Sequence, residues 1–448
     1  MNIQWARSGR ELRQQPATAA TPQPGGPAWV SATIEQLYRS DGPVAGLRRA
    51  WPQRCGGGFE ILNILYVPER SFQVIGRFAA LPPAGDDTVV ALEFAPADDS
   101  YARYAEAVSL AAARERIAHL PEWGAVARLF PEDPALPSLA AMLDLPAVAA
   151  RLGCRLDAGA SWKLLSYQPG KRATLHYRLA EGEAAYVGKL QAGDGAIRCH
   201  RRLQGLWHHP GRRFRMARPV AGCARLGARW ETFVAGRGLQ QTWPLERPEP
   251  VLEGIMGALA NLHGLALGEL APLQPEAVLE RVQRKLLRRL EATLPAQADR
   301  AEQLCRQLRE RLPAAGEAAT LHGDFHIANL LLDGTEPVLL DLDDMRAGDP
   351  CYDLALFASR LLLVSLHRGD RPSQALELAA QIPQIYARQG GYPVAPRRYG
   401  WYMAALLLGR QVKSCIRDDA PDRDALVETL IGWASEALHQ DRFGGGEA

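Results

Sequence analysis

The stretch TLHGDFHIANLLLDGTEPVLLDLDD, residues 320–344, places two histidines, five aspartates and an asparagine among leucines. Residues 329–332 and 337–342 have the apolar texture of strands, and Asp333-Gly334-Thr335-Glu336 between them has the composition of a hairpin turn. Folding the chain there pairs positions whose numbers sum to about 670, which sets Asn329 opposite Asp341 with Cβ atoms about 4.5–5.5 Å apart. Two oxygen donors at that spacing can share a Mg²⁺ ion, whose bonds to oxygen are about 2.0–2.1 Å long. A slip of one residue would put them on opposite faces. Asp324 stands five residues before Asn329, within His-Gly-Asp.

His-Gly-Asp, then Asn, then a strand ending in Asp, is the catalytic-loop pattern of kinase-like enzymes. The longer run LHGDFHIANLLLD…VLLDLDDMRAGDPCYDLALF, residues 321–357, resembles the aminoglycoside phosphotransferase and choline kinase-like family. That resemblance implies an α+β, bilobal protein-kinase-like fold, with a small antiparallel β lobe and a large α-helical lobe. It implies Asp324 as the catalytic aspartate and Asn329 and Asp341 as metal ligands. A carboxylate near pKa 4 cannot strip an alcohol near 16, a gap of about 16 kcal/mol, so the proton must move late, once the oxygen is already bonding to phosphorus. Asp349 and Asp353 read as structural, capping a helix or bonding local backbone. Asp343 and Asp344 are open between further metal ligands and a solvated rim. His326 and His322 read as hydrogen-bonding struts.

The nucleotide half is expected earlier in the chain. WKLLSYQ, ATLHYRLA and AAYVGKLQ read as an antiparallel meander, with PGKR between the first two strands. Lys171 and Arg172 stand where the resemblance implies a loop over nucleotide phosphates, and can supply charge where glycines are few. They equally suit an ordinary basic turn. Lys189 lies on an apolar strand, which costs stability unless the charge is matched; the resemblance implies that it grips the α- and β-phosphates. The helix that follows offers His200 and Gln204 and no glutamate, a departure from the family pattern that weakens the expectation of activity more than that of fold. RWETFVAGRGL resembles the strand and hinge that meet adenine, with Glu231, Thr232 and Phe233 marking it. ATP, or another nucleoside triphosphate, and Mg²⁺ are the implied cofactors.

The remainder of the chain sets the frame. Its 448 residues suit two or three domains, 47% are hydrophobic and 23% charged, and the formal charge is +2. Nothing global points to nucleic acid or to a membrane, and the Arg-rich runs RRFRMAR and RKLLRR lack interleaved aromatics and read as solvated faces. Seven scattered cysteines form no C-x-x-C pair, which fits a reducing cytoplasm. The expected divisions are a flexible tail at 1–28, a mixed α/β accessory domain at 29–150, the small nucleotide lobe at 151–235, a helical lobe at 236–440 and a tail at 441–448. The segment 101–120 reads as one helix, and no internal repeat is visible. Tyr399, Trp401 and Tyr402 could wall a substrate site, although a helix-core role is commoner for such residues.

The expected activity is ATP- and Mg-dependent transfer of the γ-phosphate to a hydroxyl of a small molecule: a sugar, an amino alcohol or a related metabolite, with an antibiotic less favoured for want of a markedly acidic C-terminal region. A homodimer is compatible with the reading. The alternative is a kinase-shaped nucleotide-binding or regulatory protein with little or no phosphoryl transfer. Transfer of a nucleotidyl group is a third course.

Overall fold

The computed structural model describes residues 42–439 except 68–70, 81–86, 96, 183, 288–289, 292–293, 315, 317, 370–371 and 418–421, together with 33, 36, 37 and 39. The tails expected at 1–28 and 441–448, and the turn expected at 68–70, lie outside the described residues. The chain divides into two compact units, one formed by residues up to 198 with 220–233, the other by 199–219 with 234 onward.

The first unit holds two five-stranded sheets. One runs through Phe59–Val67, Ser71–Phe78, Thr88–Phe94, Ala125–Leu129 and Ile117–Leu120, all paired antiparallel in that spatial order. The other runs through Ser161–Gln168, Arg172–Arg178, Tyr186–Gln191, Ala228–Thr232 and Pro219–Cys223. The meander expected from the sequence forms the first three strands of this second sheet. In Arg172–Arg178 the side chains of Ala173, Leu175 and Tyr177 are buried in alternation, as the two-residue period of a strand requires. They pack with Leu190 and Trp230, with Leu136, Leu139 and Met142 from the intervening segment, and with Ile75 and Ala91 of the first sheet, in one continuous core. Tyr177 donates its hydroxyl hydrogen bond to the Met142 carbonyl at 2.8 Å.

The helix read over 101–120 is shorter than expected. A helix spans Ala97–Leu110, but Ile117–Leu120 is a strand paired with Ala125–Leu129. Ile117 and Val126 are buried there beside Ala107 of the helix, so pairing and burial override the helix preference of the local composition.

The second unit is mainly helical. Its largest helices are Pro248–His263, Pro295–Glu310, Cys351–Arg368, Pro372–Arg388, Pro396–Leu406 and Arg423–His439. Cys351–Arg368 is buried almost all round over residues 351–365, which makes it the central helix of the unit's core. Pro295 opens the helix Pro295–Glu310 at its first turn, where its missing N–H costs nothing. A four-stranded sheet contains the hairpin Leu330–Asp333 and Glu336–Leu339, flanked by Arg237–Gly238 and Arg215–Met216. A three-stranded sheet joins Pro272–Leu273, Arg346–Gly348 and Ala319–Leu321, the last leading directly into residues 322–329. Tyr399, Trp401 and Tyr402 are all buried in the helical core, with the Tyr399 hydroxyl donating to the Ala379 carbonyl at 2.7 Å and Trp401 Nε1 to that of Leu308 at 2.8 Å. They fill the core and form no aromatic wall. Among the described residues no helix is long and apolar enough to cross a membrane.

Candidate active site

The hairpin register is one residue away from the expectation. Leu330 pairs with Leu339 and Asp333 with Glu336, so the loop is only Gly334-Thr335, with Gly334 at φ 64°. The Leu340 N–H donates to the Asn329 carbonyl at 2.9 Å, so Leu340, not Asp341, faces Asn329 across the ladder. Asp341 lies past the strand at φ 58°, the one non-glycine residue with positive φ among the described residues, and leads into the 3-10 turn Leu342–Asp344. A non-glycine residue held in the left-handed region costs of order 1 kcal/mol or more and tends to persist at functional sites. The cross-strand opposition expected of Asn329 and Asp341 is therefore not formed, and Asp341 is instead turned by a backbone kink just past the strand.

The loop before the hairpin is fixed from beneath. Asp353, on the central helix and fully buried, accepts from the His322 N–H at 2.6 Å and the Gly323 N–H at 3.1 Å. Its Oδ2 also lies 3.2 Å from His263 Nε2, and His263 Nδ1 lies 2.8 Å from the Tyr386 hydroxyl. The backbone bonding expected of Asp353 thus reaches thirty residues back along the chain and clamps the His-Gly-Asp turn. Asp349 has the smaller role expected of it, accepting from the Cys351 N–H at 2.9 Å where the helix begins, and it also binds Arg398 at 2.5 Å. Gly323, at φ 81°, is obligatory: a Cβ there would lie 1.9 Å from the Asp344 carbonyl oxygen.

His322 is wholly buried and donates from Nε2 to the Leu340 carbonyl at 2.9 Å, while its Nδ1 has no partner. Burial lowers its pKa, against a weaker pull from Asp353 and other nearby carboxylates, and so holds the ring neutral. Because its folded pKa lies below the unfolded value near 6.5, the stability it confers is present above that pH and is lost as pH falls below it. Urea midpoints measured from pH 7.5 to pH 5 will therefore fall, and His322→Gln, which keeps a donor near Nε2, will flatten that part of the profile.

Asp324 follows Gly323. His326 Nδ1 lies 3.2 Å from the Ala328 nitrogen, and its Nε2 lies 3.4 Å from Asp324 Oδ2 and 3.4 Å from Asn329 Nδ2. Arg410 Nη1 lies 3.2 Å from Asp324 Oδ1 as an ion pair without hydrogen-bond alignment; that buried oxygen accepts no hydrogen bond within the protein. Burial works to raise the Asp324 pKa, but the hydrogen bond and charge of His326, with the Arg410 guanidinium, outweigh it and hold the carboxyl well below the usual carboxylate range. Arg410 lies in the π-helical turn Leu407–Val412, a rare geometry that often marks functional positions. Nothing near residue 410 in the sequence signals this contact; it was found only in the fold.

Asn329 is buried and its amide nitrogen donates to the Asp324 carbonyl at 3.0 Å. That bond fixes the carboxamide and leaves its oxygen as the remaining donor atom. Asn329 and Asp341 are hard oxygen donors of the kind Mg²⁺ prefers. No group of three or more His, Cys, Asp or Glu side chains suited to a metal occurs among the described residues. A two-ligand set suits an ion that keeps most of its waters and takes its other oxygens from phosphate. Asp343 presents its backbone carbonyl to Arg202 Nη2 at 2.8 Å.

In the first unit, Lys189 Nζ lies 3.5 Å from Glu231 Oε1, on neighbouring antiparallel strands, with both side chains largely buried. Glu231 also binds the buried Arg229 through its other oxygen. Lys189 thus has a carboxylate neighbour on the adjacent strand, a residue the sequence assigned to the adenine hinge. Thr232 ends the same strand, and the Phe233 N–H donates to the Ala185 carbonyl at 2.7 Å. The Phe233 ring stands edge-on to His176 at 4.7 Å and lines a hollow of about 540 Å³ with Asp157, Arg178 and Glu181; Lys171, Arg172, Lys189 and Glu231 are not among its lining residues. Lys171 is exposed on the turn after Gln168, and Arg172 is exposed as the first residue of the strand Arg172–Arg178. Asp133 anchors that turn, accepting from the Gly170 N–H at 2.8 Å and the Tyr167 hydroxyl at 2.9 Å. Of the basic runs, Arg212 stacks 4.5 Å over Trp207 and Arg215 pairs with Asp333 and Glu336, so RRFRMAR is largely committed within the protein.

An aspartate clamped in a short loop, an asparagine five residues on and a hairpin leading to a second aspartate are the arrangement that the kinase-like catalytic-loop pattern calls for. Residues 176–389 match the phosphotransferase enzyme family, and over that segment the resemblance to the aminoglycoside phosphotransferase and choline kinase-like family holds. Among solved structures, the chain is similar to the aminoglycoside phosphotransferase APH(4)-Ia at 14% identity and TM-score 0.46, over 68% of this chain and all of that one (100%). It is similar to the macrolide 2'-phosphotransferase MphH from Brachybacterium faecium at 22% identity and TM-score 0.42, over 65% and 98% of the two chains. With APH(3'')-Id from Streptomyces rimosus the values are 19% and 0.40, over 58% and 97%. No curated protein matches the sequence.

Proposed function

We propose that the protein transfers the γ-phosphate of ATP, or of another nucleoside triphosphate, to a hydroxyl of a small molecule such as a sugar or amino alcohol, in the cytoplasm and with Mg²⁺. The observation that carries this reading is Asp324 Oδ1, a buried carboxylate oxygen beside Arg410 that accepts no hydrogen bond from the protein. Such an oxygen suits the hydroxyl of an acceptor, which would satisfy it and be oriented by it. Because the carboxyl is so acidic, it serves as an acceptor of a hydrogen bond and is a poor sink for the proton. Positioning is then its main contribution. Asn329 and Asp341 would hold the Mg²⁺, which when bound neutralises charge on the phosphates. Lys189, kept in place by Glu231, would meet the α- and β-phosphates, Lys171 and Arg172 would add charge from the turn, and backbone groups near Thr232 and Phe233 would meet the base.

The test is transfer of label from γ-labelled ATP or GTP to a panel of sugars and amino alcohols. Chelation by EDTA will abolish transfer and added Mg²⁺ will restore it. Transfer that survives complete chelation would contradict the assignment of Asn329 and Asp341.

A further inference from the structure

The two sheets of the first unit share one plan. Each has the spatial order first, second, third, fifth, fourth strand. In each, a helix separates the third and fourth strands, Ala97–Leu110 in one and Gly195–Trp207 in the other. A 3-10 turn ending in a left-handed glycine separates the fourth and fifth: Pro121–Trp123 with Gly124 at φ 56°, and Ala224–Leu226 with Gly227 at φ 65°. Each first strand carries one register shift, between Ile61 and Asn63 and between Leu164 and Ser166. The sequence echoes this plan faintly, in YVPER at 66–70 and YQPGK at 167–171. The repeat that the sequence did not reveal is present in the strands.

The shared register makes residues of the two sheets equivalent. Lys189 pairs with Thr174, third in its strand, and with Arg229, second in its strand. Glu93 pairs with Gln73, third in its strand, and with Val126, second in its strand. Glu93 therefore occupies the place of Lys189, and by the same count Arg128 occupies the place of Glu231. Both positions again form an ion pair, Arg128 Nη2 to Glu93 Oε2 at 2.6 Å, with the charges exchanged. Arg103, on the helix of the first sheet, binds the other Glu93 oxygen at 2.7 Å.

We infer that the chain carries the nucleotide lobe twice, and that exchange of the Lys189–Glu231 pair for Glu93–Arg128 bars the first copy from holding a nucleoside triphosphate. This rests on the nucleotide reading of Lys189 given above. A carboxylate at the phosphate-gripping position repels the phosphates, and the two arginines that could attract them are committed to it. What the first copy keeps is packing: Ile75 and Ala91 lie in the core of the second sheet, and the segment that follows the first copy carries Asp133 to the Gly170 turn. The chain accordingly has one nucleotide site.

The test is photolabelling of the full chain with 8-azido-ATP and 8-azido-GTP, with stoichiometry from equilibrium dialysis and the labelled peptide mapped. One nucleotide will bind per chain, with label in residues 161–233. Lys189→Ala will weaken binding about tenfold or more, the worth of a charge-assisted contact, and Glu93→Gln will leave it within about twofold. Label in residues 59–129, a second equivalent of nucleotide, or a loss of binding in Glu93→Gln with retained thermal stability would overturn the inference while leaving the phosphotransferase reading standing. No binding of either nucleotide would remove that reading and this inference with it.

Discussion

Asp353→Ala will destabilise the second unit by about 3–5 kcal/mol, since it strips a buried charge from the groups built around it. It leaves the His322 and Gly323 N–H groups without their acceptor and frees His263 from its partner, all inside the core. The same change loosens the turn that presents Asp324, so residual activity will fall even at temperatures where the variant stays folded. Urea denaturation monitored by tryptophan fluorescence, with turnover measured well below the midpoint, separates the two losses. A variant that keeps wild-type stability would show that the clamp is dispensable.

Asp324→Asn will lower turnover by about two orders of magnitude, the scale of losing a group that positions the acceptor. Its nucleotide affinity will change little, because in the proposed reading the side chain meets the acceptor and not the nucleotide. The same geometry predicts the pH profile of the wild type. His326 and Arg410 hold the carboxyl well below the usual range against the effect of burial, which favours the ionised form of Asp324. Sign and window follow: ionisation of Asp324 will add no acid limb to kcat/KM between pH 5 and 7. Arg410→Met removes one of the two cationic influences, and a limb will move up toward that window. Rates measured across pH 4.5–8 for both proteins check this.

The turn and hairpin of residues 322–341 were legible in the sequence because His-Gly-Asp, a short Asp-Gly turn and two apolar runs are local signals. The hairpin was read one residue out of register, because a left-handed Asp341 and a two-residue loop are backbone facts that composition does not encode. Glu231 was assigned by its place in a run, and its contact with Lys189 became visible only when two strands distant in sequence were paired. The regulatory alternative had rested on the glutamate missing from the helix and on the glycine-poor phosphate loop, and nucleotide binding without transfer across the acceptor panel would favour it. Arg410 and the duplicated sheet were illegible for the same reason: both depend on tertiary neighbours. The strands of the two sheets match in order and differ in length by at most one residue, and the opposite charges at positions 93 and 128 leave nothing a motif search would use. Tyr399, Trp401 and Tyr402 show the converse, since clustered aromatics carry no sign of whether they face a ligand or a core.

The most direct test of the account is mass spectrometry of the acceptor after incubation with ATP, Mg²⁺ and a panel of small hydroxyl compounds. The account predicts a single oxygen-linked adduct of about 80 mass units, formed by wild type and not by Asp324→Asn, as phosphoryl transfer to a positioned hydroxyl requires. A nucleotidyl adduct, or an equal yield of phosphorylated product from Asp324→Asn, would contradict it.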